Sequence, residues 1–339
     1  MPSRLRAAIV ILLTIGLLAY FLHGVDAGRV WEATRHADRG LLLVGVVVTM
    51  LTYALRAVRW QYLLAPIGPT RFWTAFRTTM IGFAASFLLP ARPGEVLRPY
   101  LLAREEGLPP TAAFATIILE RLLDLVTVLL LFGVFVLLVD PASLGDPALY
   151  ARVKFGGLLA GAASLAGLIV FFVLAGHPER LGAWALRIER VLPDKLARAV
   201  AGFVETFAQG LAVMRQPGRL LVSLILSFPL WLSIAAGIWV TSRAFHMTFS
   251  YLGSFLVMTL LVVGVAMPTP GQIGGFHAMY RLTVVTFFGV PDDTAVGAAI
   301  VLHAVSFVPV TIAGLVFMAR EGLSFGRMRE MAASEGRIK

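Results

Sequence analysis

The amino-acid sequence predicts an all-α polytopic membrane protein, with about six full spans and two re-entrant helical hairpins in an inverted repeat. Of the 339 residues, 58% are hydrophobic and 14% are charged, whereas a typical soluble domain has roughly 25% charged residues. Apolar runs of about 18 residues or more separate the charged clusters, and as helices they can cross ~30 Å of hydrocarbon. They must be helical because lipid offers no hydrogen-bond partner to backbone groups. This composition excludes a soluble enzyme.

Six stretches are predicted as full spans. Residues 7–22 follow two arginines and are typical of a retained signal anchor. A cleaved signal peptide has the same pattern, but here further apolar runs follow at once. The remaining predicted spans are 40–55, 112–139, 153–175, 220–240 and 294–318.

Two other apolar stretches, 73–89 and 251–267, each run into a cluster of proline and glycine at 90–94 and 268–271. A hairpin at each cluster, returning to the side it came from, keeps the basic clusters on one side of the membrane. Residues ~72–110 then enter from the cytoplasm and residues ~250–290 from outside, as in transporters built from inverted repeats. The alternative is that proline and glycine only kink two ordinary spans.

Clusters of arginine predict the orientation. The formal net charge is +10, and basic residues are enriched in cytoplasmic loops. Both termini are therefore predicted to be cytoplasmic, in the inner membrane of a bacterium or archaeon. The same rule makes Arg56 and Arg59 cytoplasmic anchors, together with the basic clusters at 4–6, 71–77, 180–219 and 320–329.

We predict one membrane domain over residues 1–339. Its parts are a first hairpin plus span (72–139), cytoplasmic amphipathic helices (178–217), a second hairpin plus span (250–319) and a cytoplasmic tail (320–339). In the amphipathic segment, apolar stripes at helical spacing oppose basic faces. The segment is either a connecting element or a contact with anionic lipid.

Glu120, Arg121 and Asp124 interrupt an apolar span. A charged side chain at the bilayer centre costs about 2.5–3.5 kcal/mol on insertion scales, so three on one turn imply mutual pairing or a wet cavity. Glu120 and Asp124 share a helix face, and Arg121 can reach Asp124 at i, i+3. The three form either a structural ion-pair knot or a relay for protons or substrate. We expect Asp124 to be structural to Arg121 and Glu120 to be functional, facing a wet cavity.

Further candidate residues lie at the two Pro/Gly clusters. In the first, Arg92 and Arg98 are placed to neutralise a phosphate head group, with Glu95 organising them or accepting a proton. In the second, the backbone freed by glycines such as Gly271 precedes a helix N-terminus, which attracts anions. His277 and Arg281 follow one turn apart, and His277 is either a structural residue or a functional one. The sequence has no cysteine and no spacing typical of a metal or cofactor site, so neither is expected.

The segments 86–98 (SFLLPARPGEVLR), 120–124 (ERLLD) and 268–274 (PTPGQIG) resemble the flippase-like membrane domain of lysylphosphatidylglycerol synthases and its stand-alone relatives. The resemblance covers nearly the whole chain. It implies a role in moving lipids between leaflets, without the soluble aminoacyl-transferase domain of the full synthase.

The chain also departs from the family pattern. The family commonly has asparagine near Ser86, a second glycine at Gln272 and an acidic residue at His277. An arginine expected in the last span is replaced in the region of Leu302 and His303. An acid–base pair of the second repeat is thus exchanged for histidines, which puts a shared ion-coupling scheme in question.

Three classes of function follow. The first is a flippase or transporter for an anionic lipid, either a phospholipid or a polyprenyl-phosphate carrier. The second is a membrane enzyme acting on head groups, which would need a nucleophile–base pair or a metal cluster. The third is a non-transporting partner of a glycosyltransferase or lipid-synthesis enzyme. The expected partners are anionic membrane lipids, with a lipid-synthesis enzyme or a second copy of the chain as protein partner; no nucleic-acid partner is expected.

Overall fold

A computed structural model describes residues 21–89, 92–176, 217–267 and 269–322, together with residues 12, 15, 16, 18 and 19. Most of the first predicted span, the predicted amphipathic helices up to residue 216, and the tail from residue 323 lie outside the described residues. The division into hairpin, span and tail segments otherwise stays a prediction.

The described residues form α-helices and two short 3₁₀ turns, with no strand among them. The 3₁₀ turns lie at Pro141–Ser143 and Pro270–Gln272. In chain order the helices are α1 (Ala27–Arg35), α2 (Arg39–Leu64), α3 (Phe72–Leu88), α4 (Gly94–Glu106), α5 (Pro110–Leu138), α6 (Pro147–Gly176), α7 (Pro217–Ala244), α8 (Gly253–Ala266), α9 (Gly275–Phe288) and α10 (Asp292–Arg320).

Several helices begin or end at capping residues that can be recognised in the sequence. Asp38 begins α2 by accepting hydrogen bonds from the backbone N–H groups of Gly40 and Leu41, at 2.8 and 3.1 Å, which satisfies donors left free in a first turn. Gly107 and Gly289 end α4 and α9 in the left-handed conformation, with φ of 67° and 65°. Glycine adopts that conformation without strain.

Four helices are long and apolar enough to cross a membrane: α2, α5, α7 from Gly218 onward, and α10. They carry the predicted spans 40–55, 112–139, 220–240 and 294–318, and the predicted span 153–175 lies within α6. The protein is therefore an all-helical polytopic membrane protein. The count of six full spans stays a prediction.

The chain reverses direction at the first Pro/Gly cluster, so α3 and α4 form an antiparallel hairpin (hairpin 1). A methyl group added to Gly94 would lie 1.6 Å from the carbonyl oxygen of Gly82, so the two backbones touch. At the base of the hairpin, Arg71 Nε donates to Glu106 Oε1 at 3.2 Å. The entry and exit of hairpin 1 are thus side by side.

The second cluster produces the same reversal between α8 and α9 (hairpin 2). A methyl group on Gly275 would lie 2.4 Å from the carbonyl oxygen of Gly264. At the base, the rings of Phe249 and Phe288 stack with centroids 4.7 Å apart. Both clusters therefore reverse the chain and do not kink a continuous helix.

The hairpins enter the bundle from opposite ends of α10, and their tips meet. Arg77, near the base of hairpin 1, pairs with Glu321 just after α10 ends, whereas the base of hairpin 2 leads directly into the start of α10. Between the tips, the Arg92 side chain donates to the carbonyl oxygen of Val265. Their re-entrant placement in a bilayer, and their relation as an inverted repeat, stay predictions.

Candidate functional site

Six charged side chains meet beside the tip of hairpin 1, and we call them the charge cluster. Five of the six side chains are no more than 7% exposed, and the side chain of Arg121 is 39% exposed. The cluster draws on three helices: Arg56 and Arg59 of α2, Arg98 of α4, and Glu120, Arg121 and Asp124 of α5.

Glu120 is the centre of the cluster and is fully buried. Its Oε1 atom lies 3.0 Å from Arg98 Nη1 and 3.1 Å from Arg121 Nη2. Arg56 Nη1 and Arg59 Nη2 lie 3.2 and 3.6 Å from the same oxygen. One carboxylate thus holds together guanidinium groups from three helices.

Asp124 forms the second centre, one helical turn further along α5. Its Oδ1 accepts hydrogen bonds from Arg59 Nη1 at 2.6 Å and from Trp231 Nε1 at 2.9 Å. Its Oδ2 accepts from Arg121 Nη1 at 3.2 Å and lies 3.6 Å from Arg56 Nη1. Through Trp231, α7 is joined to the cluster.

The cluster holds more positive than negative charge. Four guanidinium groups face two carboxylates, a formal surplus of two positive charges. The Nε atoms of all four arginines are buried without a hydrogen-bond partner among the described residues. Buried polar groups are normally paired, and unpaired buried charge is costly. The cluster is therefore suited to hold an anion.

A cavity of about 410 Å³ lies against the cluster. Its charged lining comes from Arg56, Arg121 and Asp124 of the cluster and from Arg92 and Glu95 of hairpin 1. The remaining wall is largely apolar and is contributed mainly by α7 to α10, with side chains such as Ile234, Leu261, Phe276, Leu302 and Phe307. A cavity of this composition suits a ligand that is charged at one end and apolar elsewhere.

Both hairpin tips place a non-glycine residue in the left-handed region beside the cavity. Arg92 has φ of 50° and Gln272 has φ of 60°, and both residues line the cavity. Such a conformation costs an L-residue roughly 1–2 kcal/mol and tends to occur at functional sites. The two strained residues support the assignment of the cavity as the functional site.

The structure brings the predicted triad together: Arg121 contacts both Glu120 and Asp124, which confirms their mutual pairing. The expectation that Glu120 faces a cavity is wrong, because Glu120 is fully buried and does not line the cavity, whereas Asp124 does. Which of the two carboxylates takes part in function stays a prediction. Of the predicted phosphate pair, Arg98 is buried against Glu120 and stacks 3.8 Å above the Trp60 ring. Of these two arginines, only Arg92 lines the cavity.

Sequence reasoning missed Arg56 and Arg59. They were expected to be cytoplasmic anchors, but α2 continues to Leu64 and buries both side chains against Glu120 and Asp124. Their partners lie 64 and 65 residues further along the chain, so no local spacing reveals the pairing. The available signal was that Arg56 and Arg59 lie one turn apart, with only apolar residues between them.

The predicted residues of the second cluster, Gly271, His277 and Arg281, are not among the residues that line the cavity, although the neighbouring Gln272 and Phe276 are. The carbonyl oxygen of Gly271 lies 2.8 Å from Nε2 of His303, and the His303 ring stacks on His277 with centroids 4.7 Å apart. Arg281 pairs with Asp292 and donates to the carbonyl oxygen of Phe21 at 2.5 Å. Arg281 therefore joins α9 to the start of α10 and to the N-terminal region.

In the part of the chain that the structure describes, no group of three or more histidine, aspartate or glutamate side chains could hold a metal ion. The polar groups that line the cavity are guanidinium groups, carboxylates, the hydroxyls of residues such as Tyr53 and Thr52, and the amide of Gln272.

The long apolar helices, together with the charged cavity among them, define a multi-pass membrane protein. A family model described as the lysylphosphatidylglycerol synthase TM region matches residues 7–314. The chain belongs to this family, which confirms the resemblance seen in the sequence.

Its relatives include two UPF0104 membrane proteins of Methanothermobacter thermautotrophicus. One is 25% identical, covering 94% of this chain and 96% of the relative. The other is 26% identical, covering 91% of each chain. The chain is also 24% identical to the glycosyltransferase AglD of Haloferax volcanii over 95% of its own length, but spans only 55% of AglD.

Proposed function

We propose that this protein is a transporter, not an enzyme, which moves an anionic lipid between the two leaflets of the cytoplasmic membrane. The observation that carries the proposal is the charge cluster, with its surplus of positive charge, lining a mostly apolar cavity. Arg56 and Arg121 bind the head group while the apolar wall accepts the first part of the tail.

The two hairpins determine where the cavity lies in the membrane. We propose that they are re-entrant and related as an inverted repeat, with the cavity near the bilayer midplane where their tips meet. Both termini are then cytoplasmic. Because the native chain contains no cysteine, the single variants Glu106→Cys and Pro291→Cys test this topology. An impermeant thiol reagent should label the first from the cytoplasm and the second from outside, and periplasmic labelling of Glu106→Cys would refute the arrangement.

Transport can be measured in proteoliposomes containing a fluorescent anionic phospholipid and an impermeant quencher. Wild-type protein should make the inner-leaflet lipid accessible faster than vesicles without protein. Arg121→Gln should slow this step about tenfold or more, because a charge-assisted hydrogen bond contributes ~1.5–3 kcal/mol. Arg29→Gln is the matched control, since the Arg29 side chain is 74% exposed. Equal rates with and without wild-type protein would contradict the proposal.

A second candidate function is that of a non-transporting partner of a glycosyltransferase. It is favoured by the relative AglD, which is named a glycosyltransferase and is nearly twice as long as the matched region. Failure of lipid transport, combined with co-purification of a glycosyltransferase from the native membrane, would support this alternative.

A further inference from the structure

We propose that the lipid recognised by the cavity is a phosphomonoester, and that the site selects it over phosphodiester lipids. The inference rests on the proposed function and specifies the substrate class of the same site. It starts from the surplus of two positive charges in the charge cluster. Arg92 and Glu95, which also line the cavity, add one charge of each sign and leave the surplus unchanged.

Charge compensation favours a dianion. A phosphomonoester carries a charge between about −1.5 and −2 at neutral pH, which matches the surplus, whereas a phosphodiester carries a single negative charge and leaves one positive charge uncompensated. Burying an unpaired charge is unfavourable. A site lined by arginines of this cluster therefore discriminates between the two head groups by their charge.

Two arginines that line the cavity, Arg56 and Arg121, also have donors without a partner among the described residues. The Arg56 side chain is 7% exposed, lines the cavity and keeps a buried Nε atom without a partner among the described residues. Arg121 also lines the cavity, and its Nε atom is likewise buried without a partner among the described residues. A monoester presents three terminal oxygens as strong acceptors, one more than a diester. The additional oxygen of the monoester can therefore pair with one of these donors when the guanidinium group turns toward the ligand.

The apolar wall distinguishes a lipid monoester from inorganic phosphate. Side chains of α7 to α10 surround most of the cavity, and free phosphate has no apolar part to cover them. Burial of apolar surface contributes roughly 25 cal/mol per Å², so an attached chain adds affinity that the free ion lacks. A lipid-linked phosphate therefore matches both the charged lining and the apolar wall of the cavity.

The test compares phosphatidic acid with phosphatidylglycerol carrying identical acyl chains. Native mass spectrometry of the full-length protein in detergent should show about tenfold tighter binding of phosphatidic acid at about pH 8, one tenfold step being ~1.4 kcal/mol. At about pH 5 the phosphomonoester is singly charged, and the preference should shrink to near unity. Equal affinities for the two lipids at about pH 8 would overturn the proposal.

Protein groups must be separated from the titration of the lipid. The titratable and charged groups lining the cavity are Tyr53 and Arg56 of α2, Arg92 and Glu95 of hairpin 1, and Arg121 and Asp124 of α5. The lining residues of α7, α8, α9 and α10 carry no charge; behind them, His277 and His303 pack on Phe276. Phosphatidylglycerol has no second proton to lose. Any pH dependence of its binding therefore measures the protein alone and is subtracted.

Two variants complete the test. Arg121→Gln should reduce the preference for phosphatidic acid several-fold, because it lowers the surplus to one charge, and Glu95→Gln should retain or increase it. An unchanged preference in a folded Arg121→Gln protein, or its loss in Glu95→Gln, would refute the charge-matching argument. Inorganic phosphate should fail to displace bound phosphatidic acid at equal concentration; if it displaces the lipid, the site recognises free phosphate. Preferential binding without transport would reject the proposed function but retain this inference.

Discussion

The two hairpins share a backbone design but differ in what surrounds their tips. Each has two glycines in backbone contact, Gly82 with Gly94 and Gly264 with Gly275, and each tip contains a non-glycine residue with positive φ. Hairpin 1 packs against the charge cluster through Arg98. Hairpin 2 instead contributes aromatic and histidine rings to its neighbours.

Because of this difference, the two hairpins contribute different kinds of residue to the cavity. Ion pairs of the charge cluster join hairpin 1 to α2 and α5, and three members of the cluster, Arg56, Arg121 and Asp124, also line the cavity. Hairpin 2 supplies mainly apolar lining through residues such as Leu261 and Phe276. Hairpin 1 therefore adds Arg92 and Glu95 to the charged lining from α2 and α5, whereas hairpin 2 contributes mainly apolar surface.

The largest expected effect is that of Glu120→Gln. The change leaves four guanidinium groups with one carboxylate, and breaking a buried ion pair costs about 3–5 kcal/mol. We expect a strongly reduced melting temperature and yield in detergent. Glu95→Gln is the matched control, because Glu95 lines the cavity but forms no ion pair within 4 Å among the described residues. A Glu120→Gln protein as stable as wild type would mean that the cluster does not hold hairpin 1 in place.

A smaller effect, equal in the two hairpins, is expected from Gly94→Ala and Gly275→Ala. The added methyl groups would lie 1.6 and 2.4 Å from opposing carbonyl oxygens, so the helices must separate. Overpacking typically costs about 1–3 kcal/mol. Melting temperatures should fall in both variants, whereas Gly133→Ala, which meets no atom within 4 Å, should not destabilise the protein. If only one of the two variants melts at the wild-type temperature, the close contact between paired glycines is not required in that hairpin.

The hairpins were predictable because their signals are local. The predicted stretch 73–89 ends at a Pro/Gly cluster, and α3 covers Phe72–Leu88. The predicted stretch 251–267 likewise contains α8, Gly253–Ala266. Proline removes a backbone donor and glycine frees the backbone, so a break in a helix can be predicted from neighbouring residues alone.

The contacts of the charge cluster were only partly predictable, because many of them join residues that are far apart in the sequence. The contact between Arg121 and Asp124 spans three residues and follows from helix geometry. The contacts of Arg56 and Arg59 depend on how α2 packs against α5, which local sequence does not determine. The rule that arginines anchor the cytoplasmic side assigned both to a surface, because it does not consider partners distant in the chain.

The smallest effects are expected at the histidine pair of hairpin 2. His303→Leu removes the hydrogen-bond partner of the Gly271 carbonyl oxygen, now 2.8 Å from Nε2, and should cost about 0.5–1.5 kcal/mol, because the bond is only partly buried. His303→Gln keeps an N–H donor on a side chain of similar length and should recover part of that loss. His277→Phe should be close to neutral, because His277 Nδ1 is buried without a partner among the described residues and its ring lies among the aromatic rings of Phe21 and Phe276. Thermal melting in detergent measures the stability of all three variants, and the proteoliposome assay measures their transport. If His277→Phe folds like wild type but no longer moves lipid, then His277 takes part in transport, and hairpin 2 contributes more than apolar surface to the mechanism.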